Sequence, residues 1–161
     1  MAYFEEMKIG DRRDLGSFTF TPENIKAFAI KFDPQPFHLD EEAGRKSPFG
    51  GLAASGWHVA AAWMKLTVAN LKQEAEARAA RGEPVALGGP SPGFEDMKWI
   101  KPVLAGDTLT YGTEVSALRP SGSRPQWGLA EFHNTGINQR GELVFSFKGK
   151  AFVPRRPVAG G

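Results

Sequence analysis

The segment GGLAASGWHVAAAWMKLTVANL, residues 50–71, is the most apolar long stretch of the sequence. It is rich in alanine and apolar around nearly its whole circumference, which predicts a helix over 52–71 that is buried on most faces. It contains His58, Lys65 and Asn70, which argue against a membrane span. Such a helix needs a sheet or a partner packed around it, so we expect it at the centre of the domain.

The sequence on either side of this helix supplies a sheet. A strand is predicted over 12–20, and Thr21-Pro22-Glu23 has the pattern of a helix start, with the helix ending near Phe32 because Asp33 precedes a proline. After the long helix comes a polar, exposed extension over 72–83. Alternating apolar residues then predict four strands joined by short turns, over 95–101, 108–118, 127–137 and 143–153. Strand, helices and then a run of strands indicate an α+β fold, an antiparallel β-sheet wrapped around a central helix.

Length and composition narrow the classes of protein. The 161 residues suit one domain over 1–161, with a core over about 7–153 and a flexible C-terminal tail, PVAGG. A net charge of +2 with scattered basic residues argues against a nucleic-acid partner. The chain has no cysteine, which excludes thiolate nucleophiles, and its three histidines do not have metal-ligand spacing, so no metal is expected. The N-terminus lacks a signal-peptide pattern, and we expect a cytoplasmic location without membrane association.

The segment FDPQPFHLDEE, residues 32–42, contains a candidate acid–base pair. Asp33 and His38 are separated by two X-Pro steps, which predict an extended backbone that presets their relative position. A carboxylate and an imidazole that face one cleft can divide acid and base work on a single water molecule. Spacing alone leaves equally open a surface loop in which His38 caps a short helix starting near Asp40.

Ser55-Gly56-Trp57 is the second candidate. Free N–H groups near a helix N-terminus suit a developing oxyanion, and glycine permits close approach of a substrate carbonyl. Taken alone, these residues fit better a second interpretation, in which Gly50, Gly51 and Gly56 only let the helix pack tightly against a strand. His58, inside the helix, is expected to be a hydrogen-bonded core histidine, and His133 a structural or exposed one. The sequence has no phosphate-binding loop, dinucleotide-binding motif or serine-hydrolase elbow.

Three segments in order resemble the MaoC-like dehydratases, the (R)-specific enoyl-CoA hydratase group with a hot-dog fold. They are FAIKFDPQPFHLD (28–40), FGGLAASGWHVAA (49–61) and WIKPVLAGDTL (99–109). The resemblance implies that Asp33 and His38 are the catalytic pair and that the Gly56 N–H binds the oxyanion. It also implies that Gly51, Ser55 and Trp57 bind the substrate. Many members have Asn and His where this chain has Gln35 and Ser55. These differences are compatible with the same class of reaction, but they do not show which substrate is used.

The activity implied by the resemblance is reversible hydration of trans-2-enoyl-CoA thioesters to 3-hydroxyacyl-CoA, a reaction of fatty acid metabolism. It needs no cofactor, because the CoA thioester is the substrate, and it implies a homodimer or a dimer of dimers. A hot-dog acyl-CoA thioesterase is the alternative, but its carboxylate usually lies on or just before the central helix, and no Asp or Glu occurs over 43–73. A non-catalytic acyl-CoA-binding domain is a further alternative.

Overall fold

The computed structural model describes residues 2–157 and contains one antiparallel sheet and four α-helices there. The strands are β1 (Arg12–Thr19), β2 (Gly93–Trp99), β3 (Thr108–Pro120), β4 (Trp127–Asn138) and β5 (Leu143–Pro154). The helices are α1 (Pro22–Phe32), α2 (Pro36–Leu39), α3 (Glu41–Lys46) and α4 (Gly56–Ala80). The strand order is β1-β3-β4-β5-β2, so β1 and β2 are the edges. The predicted α+β architecture, a long helix packed on an antiparallel sheet, is confirmed.

The core lies between the first half of α4 and the middle strands. Val59 and Ala62 of the helix share one buried cluster with Leu109, Tyr111 and Phe145 of the sheet. Leu109 and Tyr111 alternate along β3 and so point to the same face of the sheet. The Tyr111 hydroxyl donates a hydrogen bond to the carbonyl of Val59 over 2.9 Å, and burial raises the pKa of this phenol. Each large buried side chain here stabilises the fold by about 1.5–3 kcal/mol.

The start of the central helix differs from the prediction. Residues 52–54 are buried but extended, and Ala53 forms an antiparallel bridge with Leu104. The helix begins at Gly56, where Ser55 is the N-cap and its hydroxyl accepts a hydrogen bond from the N–H of Trp57. A short apolar run fits a buried strand as well as a helix, so its composition cannot decide between them. The polar residues after 71 continue the same helix to Ala80.

The backbone around His38 also differs from the prediction. The extended conformation expected between Asp33 and His38 is wrong, because Pro36 begins the four-residue helix α2 and His38 lies inside it. Proline is well suited to the first position of a helix, where its missing N–H has no partner anyway. Helix α1 does begin after a Thr21 cap and end at Phe32, as predicted.

Two predictions about the chain as a whole concern its tail and the membrane. The segment expected to be flexible, PVAGG, lies outside the described residues from position 158 onward. Within residues 2–157, no helix has both the length and the apolar character needed to cross a lipid bilayer.

Candidate active site

Asp33 and His38 lie side by side at the end of α1. The Nε2 atom of His38 is 3.4 Å from Oδ2 of Asp33, and His38 is only 5% exposed. Asp33 directly follows α1, where its N–H donates to the carbonyl of Ala29 over 2.9 Å. Helix α2 then turns the chain back, so that the imidazole faces the carboxylate. The structure therefore brings together the two residues that the sequence singled out.

The orientation of the His38 ring is fixed by the backbone of the extended segment before α4. Its Nδ1 atom lies 2.7 Å from the carbonyl oxygen of Ala53, and a carbonyl can only accept a hydrogen bond. Nδ1 must therefore carry the proton, which leaves the lone pair of a neutral imidazole on Nε2, facing Asp33. The Ala53 N–H donates in turn to the carbonyl of Phe37, so α2 and this segment hold each other in place.

The carboxyl of Asp33 is surrounded by groups that favour its ionised form. Burial alone would raise its pKa, but the Ser55 hydroxyl and the Gln35 amide, together with the His38 ring when it is protonated, outweigh burial and lower the pKa below its usual value. The Gln35 amide donates to Oδ1 over 2.7 Å, while Oδ2 is the oxygen that faces His38. Asp33 is thus a carboxylate at neutral pH and can act as a base.

Gly56 is the first residue of α4, and its environment explains why no larger residue fits there. A Cβ atom at this position would lie 2.6 Å from Cε2 of Trp99, and the Trp99 indole donates to the Gly56 carbonyl over 2.8 Å. Across residues 2–157, no acceptor lies within hydrogen-bond reach of the Gly56 N–H. This N–H adds to the positive field at the N-terminus of a helix of 25 residues.

The other predicted site residues occupy three different environments. Ser55 is 1% exposed and lies next to Asp33, so its contacts connect it with the catalytic pair. Gly51 is half-buried against the methyl groups of Leu104. Trp57 points outward, with 55% of its surface exposed, and packs edge-on against Trp99. The substrate-binding roles of all three stay predictions.

Two contributions to the site were missed in the sequence. The side-chain amide of Gln35 holds Asp33 in place, a role that the sequence pattern does not predict. Trp99 and the residues after it form the wall behind the site: the Ala54 N–H donates to the carbonyl of Val103 over 2.8 Å. The motif at 99–109 could have indicated this contact, but strand patterning alone does not pair it with the start of α4.

His58 lies in the core near this site, where hydrogen bonding was expected. The residue is 7% exposed, as predicted, but its Nδ1 atom has no hydrogen-bond partner within residues 2–157. Its ring stacks on Phe28 at 4.7 Å and touches the edges of Phe18 and Phe20. Burial among these rings lowers the pKa of His58 to about 4, so it is neutral at pH 7. His133 is exposed on β4.

We expect His58 to make the stability of the protein depend on pH. Its pKa is about 4 in the folded state and about 6.5 in the unfolded chain, so the unfolded chain binds the proton first as the pH falls. The stabilisation present above pH ~6.5 should be lost progressively towards pH ~4, by about 3 kcal/mol in all. Urea unfolding of the wild type and of His58→Phe at both ends of this range measures the difference.

The exposed His133 provides the control for this measurement. The variant His133→Gln should keep the acid sensitivity of the wild type, whereas His58→Phe should lose most of it. An equal loss of stability on acidification in the wild type and His58→Phe would contradict the assignment.

Comparison with known proteins shows which family this chain belongs to. The family model described as the MaoC like domain matches residues 5–126, more than half of the chain. The chain belongs to the MaoC-like family. Its sheet around a central helix is the hot-dog fold, as in solved structures of relatives. The matched range includes Asp33, His38 and the start of α4.

Individual relatives are similar over different lengths. The crystal structure of the MaoC-like dehydratase from Rhodospirillum rubrum is 39% identical with a TM-score of 0.78, covering 98% of this chain and 100% of that one. The uncharacterized protein YdeM of Bacillus subtilis is 28% identical over 94% of this chain and 98% of its own. A mesaconyl-CoA hydratase of Cereibacter sphaeroides is 34% identical over 42% of this chain, which is only 19% of that enzyme.

Proposed function

We propose that this protein is a hydro-lyase that reversibly hydrates trans-2-enoyl-CoA thioesters to 3-hydroxyacyl-CoA. The observation that carries the proposal is the buried Asp33–His38 pair, with 3.4 Å between its facing atoms, beside the N-terminus of α4. Membership of the MaoC-like family and the partial similarity to a hydratase that acts on a CoA thioester support it. A cytoplasmic location and independence of any cofactor are part of the same proposal.

The proposed chemistry starts with a water molecule held by both side chains. Because Nδ1 of His38 is occupied by the Ala53 carbonyl, Nε2 presents a lone pair, and Asp33 presents a carboxylate oxygen beside it. Two acceptors this close suit one water that donates a hydrogen bond to each. Asp33 takes a proton as the water oxygen adds to Cβ of the enoyl group, and His38 keeps the water aligned.

The thioester oxygen gains negative charge in this step, and the start of α4 can stabilise it. We place this oxygen on the Gly56 N–H, where one hydrogen bond and the helix field act together. One donor of this kind is worth on the order of 3 kcal/mol in the transition state. The proton on Asp33 then passes to Cα, which restores the carboxylate and completes the addition of one water.

The alternatives are separated by one assay with two readouts. We expect the enoyl absorbance of crotonyl-CoA to fall without release of free thiol. Thiol release from acyl-CoA would instead indicate a thioesterase. That activity is disfavoured because the first carboxylate of α4, Glu74, lies in its second half and is paired with Arg13 at 2.9 Å. Tight binding of CoA esters without any turnover would indicate a non-catalytic acyl-CoA-binding domain.

The exposed apolar residues next to β2 support a homodimer. The edge strand β2 exposes Phe94 (55%) and Trp99 (45%), and the adjoining face of α4 exposes Trp57, Met64 and Val68, each by more than half. A free strand edge beside an apolar patch is suited to pairing with a second copy of the chain. We therefore propose that two copies join along β2.

Light scattering after gel filtration tests this dimer. We expect twice the mass of the 17.5 kDa chain, and a shift towards the monomer in Val68→Glu, since a charge would be buried at the interface. The matched control is Ile9→Glu, another exposed apolar residue, at 67%, which lies outside the patch. A monomeric wild type, or equal effects of both variants, would contradict an interface along β2.

A further inference from the structure

A cavity lies beneath the middle turns of α4, between the helix and the sheet. Its volume is about 470 Å³, and its walls are mainly apolar, with contributions from Leu15, Val115, Phe147 and Val153. Asp33, His38 and Gly56 do not line it. The cavity is therefore separate from the catalytic pair and needs its own explanation, because protein interiors are normally close-packed.

Apart from a carboxylate oxygen of Glu74, which is ion-paired with Arg13, three buried polar atoms of residues that line this apolar cavity have no hydrogen-bond partner among residues 2–157. They are Nε1 of Trp63, Oγ1 of Thr67 and Oδ1 of Asn134, and Asn134 is only 1% exposed. Buried polar groups nearly always have a hydrogen-bond partner, and leaving one unpaired is costly. Three of them around one cavity indicate a ligand that supplies the missing partner.

These atoms come from two elements that face each other. Thr67 lies one turn after Trp63 on α4, and the Trp63 ring contacts Phe147 at 4.6 Å. Phe147 is the direct β5 partner of Asn134 on β4, so both side chains project from the same face of the sheet. The indole, hydroxyl and amide groups are thus grouped at one part of the cavity.

Their chemistry favours a neutral hydroxyl group over a carboxylate. The indole N–H can only donate and the Asn134 oxygen can only accept, whereas a hydroxyl does both. A carboxylate could not donate to Asn134. It would also lack a free cation among the described residues that line the cavity, because Arg12, Arg13 and Lys150 are each paired with a glutamate.

Two residues that line the cavity, Trp63 and Thr67, lie on the helix face that begins at the proposed oxyanion site. Gly56, Ala60, Trp63 and Thr67 have the spacing of a single helix face, and Trp63 lies about 10 Å along the axis from Gly56. We propose that the cavity receives the distal part of the acyl chain and that Trp63, Thr67 and Asn134 bind a hydroxyl group carried there. This inference rests on the proposed function and narrows its substrates to enoyl thioesters with a distal hydroxyl.

Two matched pairs of ligands test the inference. The first is 2-octenoyl-CoA and ω-hydroxy-2-octenoyl-CoA, compared by kcat/KM for hydration. The second is octanoyl-CoA and ω-hydroxyoctanoyl-CoA, compared by calorimetric Kd, which does not depend on turnover. We expect the hydroxylated member to be favoured about tenfold in both pairs, because the plain chain leaves the polar atoms unpaired.

Three variants assign the preference to the cavity. Thr67→Val keeps the shape of the side chain and Trp63→Phe keeps the contact with Phe147, and each should reduce the preference severalfold. Thr110→Val, which removes a hydroxyl on the exposed side of the sheet, should leave it unchanged. If Trp63→Phe fails to fold, the isosteric Thr67→Val decides.

The outcomes separate this inference from the proposed function. Equal binding and turnover of plain and hydroxylated chains, as expected if water satisfies these atoms, would overturn the hydroxyl site and leave hydration intact. A preference in Kd that is lost in Thr67→Val, with no hydration of any enoyl-CoA, would support the site and overturn the proposed hydratase.

Discussion

Replacing Asp33 by Asn is expected to lower kcat/KM for enoyl-CoA hydration by roughly 10³-fold while leaving the fold intact. The change removes the charge that takes the proton from water but keeps an oxygen that can still accept from the Gln35 amide, now at 2.7 Å. The side chain should therefore stay in place. His38→Ala should cost a comparable factor, because it removes the acceptor that aligns the water.

A neighbouring carboxylate provides the control for Asp33→Asn. Asp40 caps α3 by accepting from the Ala43 N–H, and asparagine caps helices equally well, so Asp40→Asn makes the same change of charge without touching the pair. Its activity should stay near that of the wild type. The assignment would be wrong if Asp33→Asn and His38→Ala both retained near-normal hydration with an unchanged circular dichroism spectrum. Removing both residues should cost little more than removing one, since they act as a unit.

The elements predicted correctly are those with strong local patterns. β3 to β5 alternate apolar residues over many positions, and α1 has a capping threonine, a proline at its first position and a stop before Pro34. The start of α4 could not be predicted in this way, because residues 52–54 are held extended by Leu104 and its neighbours, far away in the sequence. Helix α2 was missed because four residues are too few to show a helical period.

The same distinction holds for the candidate site. The spacing of Asp33 and His38 in the sequence was enough to suggest that they form a pair, because both lie in one short segment. Gln35 donates a hydrogen bond to Asp33, and the nearby Ser55 hydroxyl helps to lower the pKa of that carboxyl. Both effects depend on the folding of α2 and on the exact start of α4. Trp99 reaches Gly56 only because β2 lies at the edge of the sheet next to that helix end, which is a property of the tertiary fold.

Replacing Gly56 by Ala is the other change expected to have a large effect. The new Cβ would lie 2.6–2.9 Å from three atoms of the Trp99 indole, too close for the present arrangement. Either the first turn of α4 or the indole must move, and movement of the turn misplaces the N–H proposed to bind the oxyanion. We expect kcat for hydration to fall by about 10²-fold, the usual cost of losing one such donor.

Gly112 and Trp99 show whether steric displacement causes this loss. A Cβ on Gly112, in β3, would meet only the Thr135 hydroxyl at 3.5 Å and the Arg13 carbonyl oxygen at 3.7 Å, so Gly112→Ala should keep near-normal activity and melting temperature. In the double variant Gly56→Ala, Trp99→Leu, the added methyl has room, and activity should recover relative to Gly56→Ala alone. The activity of the double variant would then exceed the value expected from adding the effects of the two single variants, as happens when two residues are in direct contact. If Gly56→Ala turned over enoyl-CoA like the wild type, the N-terminus of α4 could not be the oxyanion site, and the thioester oxygen would have to bind elsewhere.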